Sequence, residues 1–142
     1  MMYVKDIMTN RVRTISSTAT VKDAARAMAR SKIGSLVVVD RLMPVGMITE
    51  GDVSRCVAKG FDPGSTSVLF RKTKLVTTEP SERVEVAAKV MADSGVKKLP
   101  VMEGKRLVGI VTQTDIVNSS FALVTSLKEM VQARYRPPDF QM

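Results

Sequence analysis

Two segments of the sequence place a threonine hydroxyl three residues before a carboxylate. They read GMITEGD at positions 46–52 and GIVTQTD at positions 109–115, so Thr49 is paired with Asp52 and Thr112 with Asp115. If each threonine ends a strand and each aspartate opens a helix, the carboxylate can accept both hydroxyls of a ribose. The threonine and the free helix N–H groups then face a phosphate. The alternative is purely structural, because Thr and Asp also cap helices.

The rest of the composition argues against most catalytic chemistry. There is no His, and Cys56 is the only cysteine, so we expect no zinc cluster, no His-based acid–base pair and no internal disulfide. Thr and Asp alone supply no nucleophile–base pair. The sequence therefore predicts that the protein is not an enzyme and has no catalytic residue, metal or catalytic cofactor.

The formal net charge of +8 suggests an anionic partner. Nucleotide phosphate, nucleic acid and a membrane surface are all compatible with it, as is a basic surface that is only solvated. The basic residues are spread from Lys5 to Arg136 without a run of five or more, which disfavours a dedicated nucleic-acid arm. We expect no more than weak, nonspecific nucleic-acid binding.

Membrane insertion and export are not expected. No apolar run approaches the roughly 20 residues that span a bilayer, and the N-terminal MMYVKDIMTNR has no signal-peptide core. We therefore predict a cytoplasmic protein with no membrane partner.

A repeat connects the two motifs. Gly46 and Gly109 are 63 residues apart, and the same offset, held without a gap, pairs apolar and turn positions in both halves. The pairs include Thr14/Thr77, Val21/Val84, Met28/Met91, Leu36/Leu99, Val38/Val101 and Val45/Val108. Because a shared fold constrains such positions, we infer two copies of one unit.

Each copy has the pattern of a βαββα unit. An extended piece is followed by a helix with apolar residues at three- and four-residue spacing, by two short Val-rich strands that form a hairpin, and by a second helix. Ser17 or Thr18 and Ser81 are the predicted N-caps of the first helices, and Gly34 and Gly95 lie just beyond their ends. The predicted strands are 12–15, 35–39 and 45–49 in the first copy, and 75–78, 99–102 and 107–112 in the second.

The domain organisation follows from the repeat. We assign residues 1–58 to the first copy, 59–66 to a linker rich in turn residues, 67–122 to the second copy and 123–142 to a C-terminal helical tail. One unit alone would leave an apolar sheet face uncovered. The predicted fold is therefore an α/β (α+β) body in which the two repeats pack sheet to sheet with pseudo-twofold symmetry.

From residue 4 to about residue 121, the sequence resembles a tandem pair of cystathionine-β-synthase-type (CBS) domains, also called a Bateman module. VKDIMT at 4–9 resembles the opening segment of that family, SLVVVD at 35–40 and KLPVME at 98–103 its central strand, and the two Gly–Thr–Asp motifs its closing signature. Departures occur at Phe70-Arg71, which replaces Ile7-Met8, and at Ala19-Thr20, where a Pro is common.

The resemblance implies that ligands bind in two clefts, each mixing the Thr/Asp motif of one copy with the opening strand and the residues before the central strand of the other. One cleft would use Thr112 and Asp115 with Met8, Val12, Ile33 and Gly34. The other would use Thr49 and Asp52 with Leu75, Val96 and Lys97. The apolar residues would flank an adenine, and Lys97, Lys98 or Lys32 would meet a phosphate unless these lysines are only solvated.

The function implied by the resemblance is regulatory binding of an adenosine-containing ligand: AMP, ADP or ATP, with S-adenosylmethionine and NAD as further candidates. We expect a homodimer, with the second helices at 53–57 and 116–121 as candidate contacts, and an unidentified regulated protein. An interaction scaffold with empty clefts is the main alternative, and direct nucleic-acid binding is a weaker one.

Overall fold

The structure is a computed structural model that describes residues 1–71 and 74–134. Its elements alternate in the predicted order, with a short helix added before the first strand. In chain order they are α1 (Val4–Ile7), β1 (Thr14–Ser16), α2 (Val21–Ser31), β2 (Ser35–Asp40), β3 (Met43–Thr49), α3 (Glu50–Ala58), α4 (Val84–Ser94), β4 (Lys98–Glu103), β5 (Arg106–Thr112) and α5 (Gln113–Arg134).

The strands form two sheets, one in each half of the chain. In the first half β1 is parallel to β2, which is antiparallel to β3, while in the second half β4 and β5 form an antiparallel hairpin. The predicted α/β fold with two repeated units is confirmed. The opening strand predicted at 75–78 is reduced to a single parallel bridge between Thr78 and Val101.

The predicted caps of the first helices are wrong in both copies. Helix α2 starts after Thr20, whose hydroxyl accepts from the Asp23 N–H at 3.2 Å, whereas the Thr18 hydroxyl bonds to Ser16. The Thr20 N–H donates to the Asp23 carboxylate at 3.0 Å and, with the Thr20 hydroxyl, lowers the pKa of Asp23. Helix α4 follows Arg83, whose side chain makes no capping hydrogen bond.

At the other end of these helices, the left-handed residue that ends the helix differs between the copies. Gly95 takes this position after α4 with φ of 67°, as its place in the sequence suggested. After α2 it is Lys32, with φ of 55°, rather than Gly34. Gly34 lies two residues further along, where β2 is about to begin.

The opening segment of each copy packs into the core of the other copy. Val4 is fully buried in the second core, and its N–H donates to the Glu82 carbonyl at 2.9 Å. Val68 is buried in the first core, and its N–H donates to the Ala19 carbonyl at 3.1 Å. The crossed segments and the approach of β3 to β5 join the two halves.

Helix α5 is 22 residues long and runs from the second motif into the predicted tail. The sequence also predicts that this helix ends at Pro137-Pro138, which lie outside the described residues. Within the described parts of the chain, none of the helices has the length and apolarity to cross a membrane.

Candidate functional site

Gly46 and Gly109, which open the two motifs, let the opening segment of the other copy lie against β3 and β5. A Cβ atom at residue 109 would be 2.6 Å from the Met8 sulfur and 3.0 Å from the Thr9 carbonyl oxygen. Thr9 also exchanges two backbone hydrogen bonds with Ile110. At Gly46 the corresponding neighbour is Leu69, whose Cδ2 would be 3.3 Å from a Cβ. Glycine is therefore needed at residue 109 for close contact with the first copy.

Both threonine–aspartate pairs form capping boxes at the start of a helix. Thr49 precedes α3, where its N–H donates to Asp52 Oδ2 at 2.9 Å and its Oγ1 accepts from the Asp52 N–H at 3.3 Å. Thr112 precedes α5 with the same two bonds to Asp115, at 2.9 and 3.0 Å. The helix-capping role, which was the structural alternative for these residues, is therefore present. It uses one oxygen of each carboxylate.

The two motifs lie near each other because the strands that pair with them meet. Ser35 pairs with Thr49 across the first hairpin, and Lys98 pairs with Thr112 across the second. The Lys98 ammonium donates to Ser35 Oγ at 3.0 Å, and these residues are themselves 63 apart. The contact joins equivalent positions, so it lies close to the pseudo-twofold axis between the motifs.

Gly34 and Lys97 hold equivalent positions immediately before the central strands. The Gly34 carbonyl accepts from the Glu50 N–H at 3.1 Å, and the Lys97 carbonyl accepts from the Gln113 N–H at 2.8 Å. Each residue therefore touches the helix start of its own copy. A Cβ on Gly34 would also be 3.7 Å from the Lys98 ammonium, which brings Gly34 close to the second copy.

The apolar residues assigned to the clefts occupy different surroundings. Ile33 packs on the first core, Met8 and Val96 pack on the second, and Val12 is half-buried. Leu75 lines an open groove of about 560 Å³ together with Met43, at the start of β3. The described lining of that groove includes neither Thr49 nor Asp52, which lie at the other end of the strand.

The two motifs differ in the partners of the second carboxylate oxygen, Oδ1, which the capping box does not use and which we call the outer oxygen. Asp52 Oδ1 accepts from Arg55 at 3.1 Å and from Arg71 at 2.9 Å, and the Asp52 side chain is only 14% exposed. Among the side chains that the structure describes, none forms an ion pair with Asp115. Asp52 is therefore neutralised by arginine, whereas the outer oxygen of Asp115 can accept hydrogen bonds from a ligand.

Arg55 and Arg71 were not among the predicted site residues. A signal for Arg71 was a charged residue in the opening segment of the second copy where the first copy has the apolar Ile7-Met8. Arg55 lies three residues after Asp52 on the same helix face, a spacing that favours an ion pair.

Comparison with known proteins identifies the family. The model of the CBS domain matches residues 4–59 and 69–121, which together are more than half of the chain. This chain belongs to the CBS domain family. The CBS domain-containing protein YhcV of Bacillus subtilis is 34% identical over 117 residues, which cover 82% of this chain and 84% of that protein. Other relatives have enzyme names, but this chain covers only 23% of their length.

Solved structures of CBS domain pairs have the same fold. The CBS domain pair of protein MJ0100, in complex with 5-methylthioadenosine and S-adenosyl-L-methionine, matches with a TM-score of 0.78 at 27% identity, covering 86% of this chain and 98% of that chain. A hexameric CBS-CP12 protein from bloom-forming cyanobacteria matches with a TM-score of 0.75 at 30% identity, covering 93% of this chain and 86% of that one. The paired CBS domains make this chain a regulatory type of module.

Proposed function

We propose that this CBS pair is a regulatory sensor that binds adenosine-containing ligands between its two repeats. AMP, ADP and ATP are the first candidates, with S-adenosylmethionine and NAD as further ones. The observation that carries the proposal is the outer oxygen of Asp115, which has no ion-pair partner among the described side chains, on a carboxylate that its capping box with Thr112 already holds in place. A pre-oriented carboxylate of this kind suits the vicinal hydroxyls of a ribose. The adenosyl ligands of the MJ0100 pair are consistent with this choice.

The cleft around Asp115 would use Thr112 with Met8, Val12, Ile33 and Gly34. Two contacts support this grouping: Met8 against Gly109, and Gly34 close to Lys98. The cleft around Asp52 would use Thr49 with Val96, Lys97 and Lys98, whereas Leu75 lines the groove at the start of β3. Because Lys98 already donates to Ser35, its ammonium is held near the axis between the two motifs.

Isothermal titration calorimetry with AMP, ATP, NAD and S-adenosylmethionine tests the proposal. We expect specific binding of at least one ligand, and Asp115→Ala should weaken it by about 1–3 kcal/mol because two charge-assisted hydrogen bonds are lost. Asp93→Ala is the matched control, since Asp93 is an exposed aspartate paired with Lys89 away from the motifs. The proposal fails if no ligand gives heat or a thermal shift at millimolar concentration. The cleft assignment fails if Asp115→Ala and Asp52→Ala both bind like the parent.

Self-association through the second helices is the other part of the proposal. Val57 on α3 and Val117 and Phe121 on α5 are 61, 60 and 67% exposed, whereas Val53 and Ile116 face the cores of their own repeats. Three large apolar residues on the surface suit an interface between copies. We propose a homodimer, while the hexameric relative leaves a larger assembly as the alternative. Light scattering should give a mass above the 15.5 kDa of one chain, and Phe121→Asp should reduce it.

The proposed role is regulation of an unidentified protein in the cytoplasm, without catalysis and without a catalytic cofactor. A scaffold function is the second candidate, and one observation favours it. In the first motif both carboxylate oxygens already have protein partners, so that half of the molecule needs no ligand to satisfy its charges. Retention of the oligomer with no adenosyl ligand bound would favour the scaffold.

A further inference from the structure

The two CBS motifs differ most at the residue that approaches the outer face of the aspartate. In the first motif this residue is Arg71, which comes from the segment after the linker, 19 residues along the chain from Asp52. The opening segments align at an offset of 64 residues, because Val4 and Val68 donate to the carbonyls of Glu82 and Ala19, which are themselves 63 residues apart. The counterpart of Arg71 in the other copy is therefore Ile7, which packs against the second core. The first motif thus has a cation at a place where the other copy has an apolar side chain.

The hydrogen-bonding capacity of Asp52 is already filled. Its Oδ2 accepts from the Thr49 N–H at 2.9 Å and from the Thr49 hydroxyl at 3.1 Å, and its Oδ1 accepts from Arg55 and Arg71. A carboxylate offers about four lone-pair positions, two on each oxygen. A ribose can therefore bind to Asp52 only if at least one guanidinium leaves Oδ1.

Arg71 is the guanidinium better placed to leave. It is carried by residues 69–71, which lie outside any helix or strand, whereas Arg55 is fixed on helix α3 three residues after Asp52. A guanidinium that is released next to a bound ligand needs a new anion, and the planar fork of arginine matches a phosphate in a bidentate geometry. A nucleoside without a phosphate provides no such group, so it would break the ion pair without replacing it.

We infer that Arg71 is a specificity-determining residue that makes the Asp52 cleft selective for phosphorylated adenosine ligands. The guanidinium moves from the Asp52 carboxylate to the ligand phosphate as the ribose takes its place. The Asp115 cleft has the apolar Ile7 at the equivalent place in its opening segment and accepts adenosyl ligands without regard to a phosphate. This inference rests on the proposed function, because it assigns a ligand class to one of its two clefts.

The test isolates the Asp52 cleft in an Asp115→Ala background and compares the affinities of AMP, ATP and adenosine by calorimetry. Arg71→Met removes the guanidinium beside Asp52 and keeps an unbranched side chain there. We expect the better phosphorylated ligand to bind at least tenfold more tightly than adenosine before this change. Arg71→Met should reduce the ratio about tenfold, by weakening nucleotide binding and strengthening adenosine binding. Adding Arg55→Asn, the residue at the equivalent position 118, should move the ratio further in the same direction.

Lys89→Met is the matched control, because it removes one positive charge and one exposed ion pair, with Asp93, from a helix that does not carry a motif. It should leave the ratio unchanged, and thermal melting verifies that every variant is folded. An unchanged ratio in Arg71→Met overturns the inference. So does complete loss of binding in the Asp115→Ala background, which would mean that the arginines close the cleft to phosphorylated ligands as well. Failure of the parent to bind any of the ligands would instead reject the proposed function itself.

Discussion

The two repeats have nearly the same backbone and differ in the side chains around it. Strands β2 and β3 pair in the same register as β4 and β5, with a register shift at equivalent places, between Val38 and Val39 and between Val101 and Met102. The differences lie at the outer oxygen of the motif aspartate, at the hairpin turn and at the N-cap of the first helix. Duplication therefore preserved the positions that build the fold and left the exposed positions free to specialise.

The largest effect is expected where the repeats are most alike, in their cores. Leu36 and Leu99 are equivalent residues, 3% and 0% exposed. Truncation of either to Ala should lower the free energy of unfolding by about 2–5 kcal/mol, because each leaves a cavity in a packed core. Urea denaturation monitored by circular dichroism measures both variants against the parent.

The same experiment tests whether the repeats are independent. Since Val4 completes the second core and Val68 the first, destabilising one half should destabilise the other, and each variant should unfold in a single transition. Two separated transitions, with only one moved by each mutation, would show that the crossed segments do not couple the halves.

Much of the fold was predictable because it depends on local patterns. The four hairpin strands come from Val-rich runs of the length of buried strands, and the second helices begin at the Thr/Asp motifs that the sequence indicated. The 63-residue offset then aligned these elements in both copies. These signals lie within a few residues of the element that they predict.

The features that were missed depend on choices between near-equivalent residues or on distant contacts. The sequence does not distinguish Thr20 from Ser17 and Thr18 by residue type, because all three precede the same helix and have similar hydroxyls. Only the partner three residues later, Asp23, identifies the correct one. Arg71 reaches Asp52 from 19 residues away, and no local periodicity records such a contact.

The two hairpin turns differ in the residues that adopt a positive φ. Substitutions in the two turns should therefore change stability in opposite directions. The first turn places Arg41 and Leu42 at φ of 50° and 68°, whereas the second has Gly104 at 61°. Because non-glycine residues are strained in this region, Leu42→Gly should stabilise the protein by about 1 kcal/mol and Gly104→Ala should destabilise it by a similar amount. A Cβ at residue 104 would meet no atom within 4 Å, so steric contact would not contribute.

Thermal or urea unfolding of these two variants gives the signs directly. Leu42 is also 89% exposed, so the glycine removes little packing. A loss of stability in Leu42→Gly would contradict the strain argument and would indicate that the Leu42 side chain makes a contact that matters, as it would at an interface between copies.

The smallest expected effect concerns the caps of the first helices and depends on pH. Helix α2 has a Thr20/Asp23 capping box, whereas α4 has Arg83 and Val86 at the equivalent positions. The hydrogen bonds from Thr20 lower the pKa of Asp23 below its usual value. A carboxylate whose pKa is lower in the folded protein than in the unfolded chain stabilises the fold above the unfolded pKa, about 3.9 for Asp. That stabilisation is lost as the pH falls through the folded pKa.

Asp23→Asn should therefore unfold at lower urea concentration than the parent, by a constant amount between about pH 5 and 7, and the difference should shrink below about pH 4. The double variant Arg83→Thr/Val86→Asp transfers the capping box to α4, where Val86 is 39% exposed and can be replaced at low cost. It should gain stability with the same pH dependence. If the gain persisted unchanged at acid pH, the transferred residues would act through helix propensity or lost repulsion. The ionised carboxylate of the capping box would then not explain the difference between α2 and α4.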